Sequence, residues 1–344
     1  MRNLAFRFVR NIASKDSETF LHVVDPNFDL RNHLKDPDLF QKELKERKFK
    51  AAIDVASLNQ KYQNWWKIYS YFLEAEEKTQ EYRDFKNLLL EQDTVLIDAL
   101  KLPNRLEFNP HFLEASPSKK WKTDEFNFYL SLMKTSDEIE KRIFDGTNVI
   151  RYDPPRFARP AVTEAFNLSA NEIVRFHEGQ NPPMHLVGIT PPGLLVPFVS
   201  MKFGTTNSFS LLFIAKGAGY SRNFRGWQQQ FISILILEQK LSFLHASLNA
   251  IRLSLDNSIS KIFPKNASTK PLRPHELESY ESSSANTMVS SIPIIRYSST
   301  GTYLAERLKI ITDTKEKESP EFLNIGFVQI NVSALHSILK NTKK

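Results

Sequence analysis

Residues 55–99 read VASLNQKYQNWWKIYSYFLEAEEKTQEYRDFKNLLLEQDTVLIDA, and this stretch decides the fold of the N-terminal part. Its apolar residues recur at alternating intervals of three and four, which places them on one face of a helix. The two series are Val55, Leu58, Tyr62, Trp65, Tyr69 and Phe72, then Tyr82, Phe85, Leu89, Gln92, Leu96 and Ala99. The polar run 76–81 separates them. The pattern predicts an antiparallel hairpin of two helices, each roughly 30–35 Å long.

The hairpin is part of a longer helical arm, which we predict over residues 25–105. Asp36-Pro37-Asp38 is typical of a helix start, with Asp36 as the N-cap and Pro37 at the first helical position. Leu102-Pro103-Asn104 ends the arm, because proline cannot continue a helix. The residues that follow, 106–135, include a stretch rich in Pro, Ser and Lys and are predicted to form a linker.

Beyond the linker, in residues 136–344, the apolar pattern becomes that of strands. We predict a helix near 136–145 and strands at 185–189, 194–203, 208–216, 230–238, 306–312 and 325–331. Few helical stretches intervene, so an antiparallel sheet is favoured. The Ser-, Asn- and Pro-rich span 254–300 is predicted to be a long insertion or mobile loop, and 333–340 a closing helix. The predicted fold class is therefore α+β, a helical hairpin arm followed by an antiparallel β-sheet flanked by helices.

The composition excludes several kinds of site. The 344 residues include no cysteine, which rules out thiolate metal sites, iron–sulfur clusters and cysteine nucleophiles. The eight histidines show no metal-ligand spacing, so we expect neither a metal nor a cofactor. Gly217-Ala218-Gly219 completes no nucleotide-binding fingerprint and predicts a turn between strands. The net charge of +7 favours a polyanionic partner without identifying one.

The first 15 residues contain four basic side chains and no acidic one. Leu4, Phe8 and Ile12 are four residues apart and share one face of a helix. A basic, acid-free, amphipathic start is typical of a mitochondrial transit peptide, so we predict import to the mitochondrial matrix for residues 1–15. The alternative is a disordered basic tail.

The order of these features resembles that of the seryl-tRNA synthetases, which are class II aminoacyl-tRNA synthetases. Similar segments follow one another along most of the chain: Phe28–Arg31 with Asp36–Leu39 and Lys45–Arg47, Leu102–Asn104, Arg151–Pro155, Met184–Gly188, Tyr303–Leu308 and Asn331–Leu335. Leu102–Asn104 is similar to the point where the family's tRNA-binding arm returns to the body. Arg151–Pro155 resembles the first class II motif, which implies a dimer interface at Pro154 and Pro155. Asn331–Leu335 resembles the third motif.

The chain departs from the family where the resemblance implies catalysis. Where the family has Gly-Thr-x-Glu, with a glutamate for the serine ammonium, this chain has Gly188-Ile189-Thr190-Pro191. In the second motif Ser221 replaces the arginine that grips the ATP α-phosphate, and Asn223 replaces an acid. A metal-side glutamate aligns near Pro293. Phosphoryl chemistry depends on such charges, so the degenerate positions Ile189, Pro191, Ser221, Asn223 and Pro293 predict that the chain is not an enzyme.

A retained arm beside a lost active site resembles the catalytically inactive seryl-tRNA synthetase-like mitochondrial proteins of insects. That resemblance implies tRNA binding, with serine tRNA as the expected species, and a heterodimer with the active mitochondrial seryl-tRNA synthetase. A homodimer remains the alternative. Phosphate contacts are expected from the basic residues of the arm: Lys42, Lys45, Arg47, Lys48, Lys61, Lys67, Arg83 and Lys86. The competing interpretation is a solvated face whose charge is balanced by Glu43, Glu46, Glu74, Glu76 and Glu77.

Two other functions fit the same sequence. A divergent but active ligase would catalyse ATP- and serine-dependent pyrophosphate exchange. A class II-like accessory factor would serve other mitochondrial nucleic-acid machinery.

Overall fold

The computed structural model describes residues 29–76, 78–107, 111–114, 149–176, 184–204, 210–264, 266–313 and 321–342. The predicted transit peptide at 1–15, the predicted helix near 136–145 and most of the predicted linker at 106–135 lie outside the described residues.

The arm consists of four helices: α1 (Pro37–Glu46), α2 (Val55–Glu74), α3 (Gln80–Glu91) and α4 (Asp93–Leu100). Helix α1 begins at Pro37 as predicted, but the Asp36 side chain makes no capping bond, because its backbone is left-handed with φ 55°. Helix α2 begins where Asp54 accepts hydrogen bonds from the amides of Ala56 and Ser57, at 3.1 and 3.3 Å. Thr79 caps α3 in the same way through the amide of Tyr82.

The predicted hairpin is confirmed, with one difference in its second half. All six apolar residues of the first series are buried, and α2 packs against both α3 and α4. Phe72 near the end of α2 packs against Tyr82 near the start of α3, with ring centroids 4.6 Å apart and the ring planes tilted by 34°. The second helix is broken between Glu91 and Asp93. The break falls at Gln92, the one polar residue of the second series, which gains little from burial in the seam.

The body is built on a seven-stranded sheet with strand order β1-β6-β7-β13-β10-β9-β8. These strands are β1 (Val149–Arg151), β6 (Ser210–Tyr220), β7 (Gln228–Glu238), β8 (Ala267–Pro271), β9 (Ser283–Val289), β10 (Ile292–Gly301) and β13 (Asn324–Asn331). Every pairing is antiparallel except that of β1 with β6, which is parallel. The predicted α+β class and antiparallel sheet are confirmed.

Two small sheets flank the large one. The first contains β2 (Phe157–Ala158), β3 (Val174–Phe176) and β4 (Met184–Leu186), and the second contains β5 (Lys202–Gly204), β11 (Ile311–Asp313) and β12 (Glu321–Phe322). The other α-helices among the described residues are α5 (Pro160–Ala165), α6 (Pro191–Leu195), α7 (Leu241–Ile262), α8 (Tyr303–Leu308) and α9 (Val332–Thr342). Helices α7 and α9 cover one face of the large sheet, and α5, α6 and α8 pack on the other.

The prediction of a loop over 254–300 is wrong. This span contains the second half of α7 and the strands β8, β9 and β10. Its serines occupy buried strand positions because their hydroxyls find acceptors: Ser284 donates to the Tyr297 carbonyl at 2.7 Å, and Ser299 donates to Glu107 at 3.0 Å.

Two predicted strands are also corrected. Residues 194–203 are mainly the end of α6 and a short 3₁₀ turn, Val196–Phe198, with only the start of β5. The predicted strand 306–312 is the end of α8 followed by β11. Both stretches are short apolar runs, which do not distinguish a buried helix from a strand. The closing helix predicted at 333–340 is confirmed as α9.

Candidate functional site

A cavity of about 340 Å³ opens on the face of the large sheet that carries α5 and α6. Its floor includes Asn286, Arg296 and Gln329, which pair directly across β9, β10 and β13 and therefore share one face of the sheet. Its walls are mostly apolar and include Ile173, Pro192, Phe224 and Phe231. A concave, largely apolar site with a few convergent polar groups is the usual form of a small-molecule pocket.

The degenerate positions named from the sequence converge on this cavity. Pro191, Ser221, Asn223 and Pro293 all line it, although they come from three separate places in the chain. Ile189 does not line it. Its side chain is buried in the adjoining core, and its carbonyl accepts a hydrogen bond from Ser233 at 2.9 Å.

Pro191 is placed by a tight turn at the start of α6. Gly188 has φ 56° there and forms a β-bridge with Gly219 of β6. A β-carbon on Gly193 would lie 1.7 Å from the Gly188 carbonyl oxygen, so only glycine allows the turn to fold onto the helix. Proline at the first helical position then presents a ring, with neither charge nor donor, to the cavity.

Ser221 and Asn223 lie in the connection between β6 and β7. Both hydrogen-bond to Glu172, which also lines the cavity. The Ser221 hydroxyl donates to the Glu172 carbonyl at 3.1 Å, and the Asn223 side-chain amide donates to the Glu172 carboxylate at 3.3 Å. Arg222 between them is exposed and does not line the cavity.

The charged groups at the cavity leave it without an unpaired cation among the described residues. Arg296 is the single basic side chain in the described lining, and its guanidinium is ion-paired with the fully buried carboxylate of Glu281. Glu172 and Glu278 also line the cavity. Burial raises the pKa of the Glu278 carboxyl, Arg296 opposes this rise, and the carboxylates of Glu281 and Glu172 add to it. The cavity as described is therefore acidic, which disfavours a polyphosphate.

Most basic residues named for the arm are accessible. Lys42, Lys45, Lys48, Lys61, Lys67 and Arg83 are exposed, and Lys86 is half-buried. These side chains can reach a phosphate, and nothing in the geometry assigns a contact to any one of them.

Arg47 is a correction to that set. Only 9% of it is exposed, and its guanidinium donates to the backbone carbonyls of Glu278 and Glu281 in the body. A guanidinium held by two internal carbonyls is not presented to a nucleic acid. Glu43, proposed as a solvated counter-charge, is also buried, at 2% exposure, and pairs with Arg105.

Pro154 and Pro155, predicted at a dimer interface, follow the edge strand β1. Pro154 is half-buried and Pro155 is exposed. Ile150 in β1 is also exposed, at 42%, which leaves an apolar side chain at this edge of the sheet. Among the described residues, Ile150 and Pro155 are therefore accessible to a partner at this edge.

Sequence reasoning missed Arg296, Glu278 and Glu281, because all three lie in the span predicted as a loop. The signal that could have found Arg296 is the apolar content of β10, where buried Ile295 and Tyr297 flank it in the period of a strand. No cluster of three potential metal-binding side chains occurs among the described residues. No described helix combines the length and hydrophobicity that crossing a membrane requires.

Comparisons with known proteins identify the fold. No protein-family model and no curated protein matches the sequence. Cytoplasmic serine-tRNA ligase from Naegleria fowleri, solved with AMP, superposes with a TM-score of 0.61 at 10% identity, over 90% of this chain and 91% of that one. Seryl-tRNA synthetase from Pyrococcus horikoshii, solved with ATP, gives 0.64 at 12% identity, over 89% and 92%.

Giardia lamblia prolyl-tRNA synthetase, solved with prolyl-adenylate, gives a TM-score of 0.50 at 8% identity, over 68% of this chain and 53% of that one. The similarity to the two serine enzymes extends over about nine-tenths of this chain and of each enzyme. The chain therefore has the fold of the seryl-tRNA synthetases, within the class II aminoacyl-tRNA synthetase architecture.

Proposed function

We propose that this chain is a non-catalytic seryl-tRNA synthetase paralogue of the mitochondrial matrix. It binds tRNA, with serine tRNA as the expected species, and pairs with the active mitochondrial seryl-tRNA synthetase to support serylation and translation.

The observation that carries the loss of catalysis is the charge of the cavity. Activation of an amino acid by ATP requires cations that stabilise negative charge on the transferring phosphoryl group. Here Pro191, Ser221, Asn223 and Pro293 contribute no charge, and Arg296 is already paired with Glu281. Glu172 and Glu278 add negative charge. An ATP molecule placed in this cavity would meet repulsion where the reaction needs attraction.

The support for tRNA binding is the retained arm and its exposed basic side chains. Six of the eight residues named from the sequence are exposed. Phosphate contacts need only positive charge within reach of the backbone of the nucleic acid. The support for the matrix and for the heterodimer is the basic, acid-free N-terminus and the resemblance drawn from the sequence, together with the accessible edge at Ile150 and Pro155.

The first test is pyrophosphate exchange with serine and ATP, with an active seryl-tRNA synthetase as the positive control in the same assay. We expect no exchange above background. Serine-dependent exchange by the purified chain would show a divergent ligase and overturn the proposal.

The second test is the composition of the native complex. The tagged protein is recovered from mitochondria under native conditions, and the mass of the complex is measured. We expect a one-to-one assembly with the active seryl-tRNA synthetase and co-purifying serine tRNA. A homodimer without the synthetase, or a tagged protein that is not recovered from mitochondria, would overturn the partner or the location.

A further inference from the structure

Five consecutive backbone carbonyls of the body accept hydrogen bonds from the root of the arm. We call residues 278–282 the strap, and the donors come from Arg47 at the end of α1 and from Asn104 and Glu107, which follow α4 where the chain leaves the arm. The bonds run from Arg47 Nη1 to Glu278 O (3.3 Å), Asn104 N to Ser279 O (2.7 Å), Asn104 Nδ2 to Tyr280 O (3.1 Å), Arg47 Nη2 to Glu281 O, and Glu107 N to Ser282 O (3.0 Å).

The other side of the strap belongs to the cavity. Glu278 and Tyr280 line it directly. Between them and β9, the buried Glu281 carboxylate pairs with Arg296, which forms part of the cavity floor. The strap therefore touches the arm through its backbone and the cavity through its side chains. Neither group of contacts can shift far without moving the same five residues.

Arg47 makes two of the five bonds and is the one charged donor of the set. A buried guanidinium is costly unless it is hydrogen-bonded, so moving Arg47 off the strap while it stays buried would destabilise the protein. The residue therefore has a strong preference for one position of α1 relative to the body.

We propose that Arg47 and Asn104 are positioning residues that set the direction of the arm through the strap, and that the strap couples RNA binding by the arm to the state of the cavity. The RNA part rests on the proposed function. An RNA that contacts both arm and body binds best when the two are held at a fixed angle, because binding then carries no entropic cost for fixing that angle. Residues within one contact network also act non-additively.

The salt dependence of tRNA binding separates a positioning role from a phosphate contact. Arg47→Gln and Lys45→Gln each remove one positive charge from the end of α1, one buried and one exposed. A lost phosphate contact reduces the slope of log affinity against log salt by about 0.7–0.9. We expect Arg47→Gln to weaken binding by at least about threefold at every salt concentration with an unchanged slope. A reduced slope for Arg47→Gln would overturn the positioning role.

Coupling to the cavity is tested with Glu278→Gln, which keeps the shape of the side chain, and with the double variant. We expect the effects of Arg47→Gln and Glu278→Gln on tRNA affinity to depart from additivity by at least about threefold. Additive effects would mean that the strap transmits nothing between arm and cavity. Arg47→Lys serves as the milder variant if Arg47→Gln does not fold, because lysine can reach only one of the two carbonyls.

Amide hydrogen exchange provides a readout that does not require RNA. We expect Arg47→Gln to speed exchange at Asn104 and Glu107, whose amides donate to the strap, and in the strap itself, and Lys45→Gln to leave it unchanged. Unchanged exchange in Arg47→Gln would overturn the inference even if tRNA binds. Conversely, a wild-type protein that binds no tRNA would contradict the proposed function. The exchange data would still decide whether Arg47 holds the arm to the strap beside the cavity.

Discussion

Glu43 and Arg105 form a two-pronged ion pair, with Arg105 Nε 2.9 Å from one carboxylate oxygen of Glu43 and Nη2 3.0 Å from the other. The pair joins the first helix of the arm to the segment where the chain leaves it. Glu43 also accepts from the amide of Leu106 at 3.0 Å, and Arg105 donates to the carbonyl of Lys35 at 2.7 Å. Glu43, which the competing interpretation of the sequence assigns to a solvated face, is thus a buried residue that holds these two segments together.

We expect Arg105→Leu to lower the free energy of unfolding by about 3–5 kcal/mol, because Glu43 would remain buried without its counter-charge. Urea denaturation measures the change. The matched control is the exposed pair of Asp29 and Arg31, 2.7 Å apart, whose loss in Arg31→Leu should cost about 0–1 kcal/mol. Equal losses in the free energy of unfolding would show that the Glu43–Arg105 pair stabilises the protein no more than an exposed ion pair does.

The arm could be predicted from its sequence because its determinants are local. Heptad spacing and the terminating Pro103 act within a few residues, and each has the predicted effect, whereas the predicted N-cap Asp36 makes no capping bond. What could not be predicted was which charges would be internal. Arg47 and Glu43 look like solvated neighbours of Lys45, and only their partners, more than 60 positions away in the chain, make them buried.

The cavity was predicted better than the sheet around it. The positions at Pro191, Ser221, Asn223 and Pro293 were found by resemblance to a family pattern, and the structure brings them together. The strands β8–β10 were missed because their serines and threonines have the composition of a loop. Their acceptors, such as Glu107 for Ser282 and Ser283 at 2.6 and 2.7 Å, lie far away in sequence.

Gly193→Ala should destabilise the body by about 1–3 kcal/mol, because the added methyl would overlap the Gly188 carbonyl. The wall of the cavity at Pro191 would have to move with it. Thermal unfolding measures the loss. Gly204→Ala is the control, since no described atom lies within 4 Å of a β-carbon there, and it should be nearly neutral. A wild-type melting temperature for Gly193→Ala would contradict the tight turn.

Tyr62→Phe should cost about 1–3 kcal/mol although it removes a single oxygen. The Tyr62 hydroxyl is fully buried in the arm and accepts the amide of Leu30 at 3.0 Å, so its loss leaves that donor without an acceptor. The control is Tyr71→Phe. Tyr71 is 46% exposed, so polar groups near its hydroxyl can hydrogen-bond to water once the hydroxyl is removed. Chemical denaturation of both variants gives the comparison. If Tyr62→Phe is as stable as Tyr71→Phe, the hydroxyl does not anchor the start of the arm.

Glu278→Gln should make the protein more stable at neutral pH and change little near pH 4. Burial beside Glu281 and Glu172 raises the pKa of the Glu278 carboxyl, against the pull of Arg296, so the folded protein binds this proton more tightly than the unfolded chain. The stabilising contribution of the protonated form is complete below the unfolded pKa of about 4.3 and is lost as the pH rises through the folded pKa. Glutamine imitates the protonated carboxyl at every pH. Melting temperatures of wild type and variant should therefore coincide near pH 4 and diverge toward pH 8, whereas Glu91→Gln on the exposed face of α3 should give no such divergence. A variant that becomes less stable than wild type as the pH rises would mean that the carboxylate, not the acid, is the form that the cavity favours.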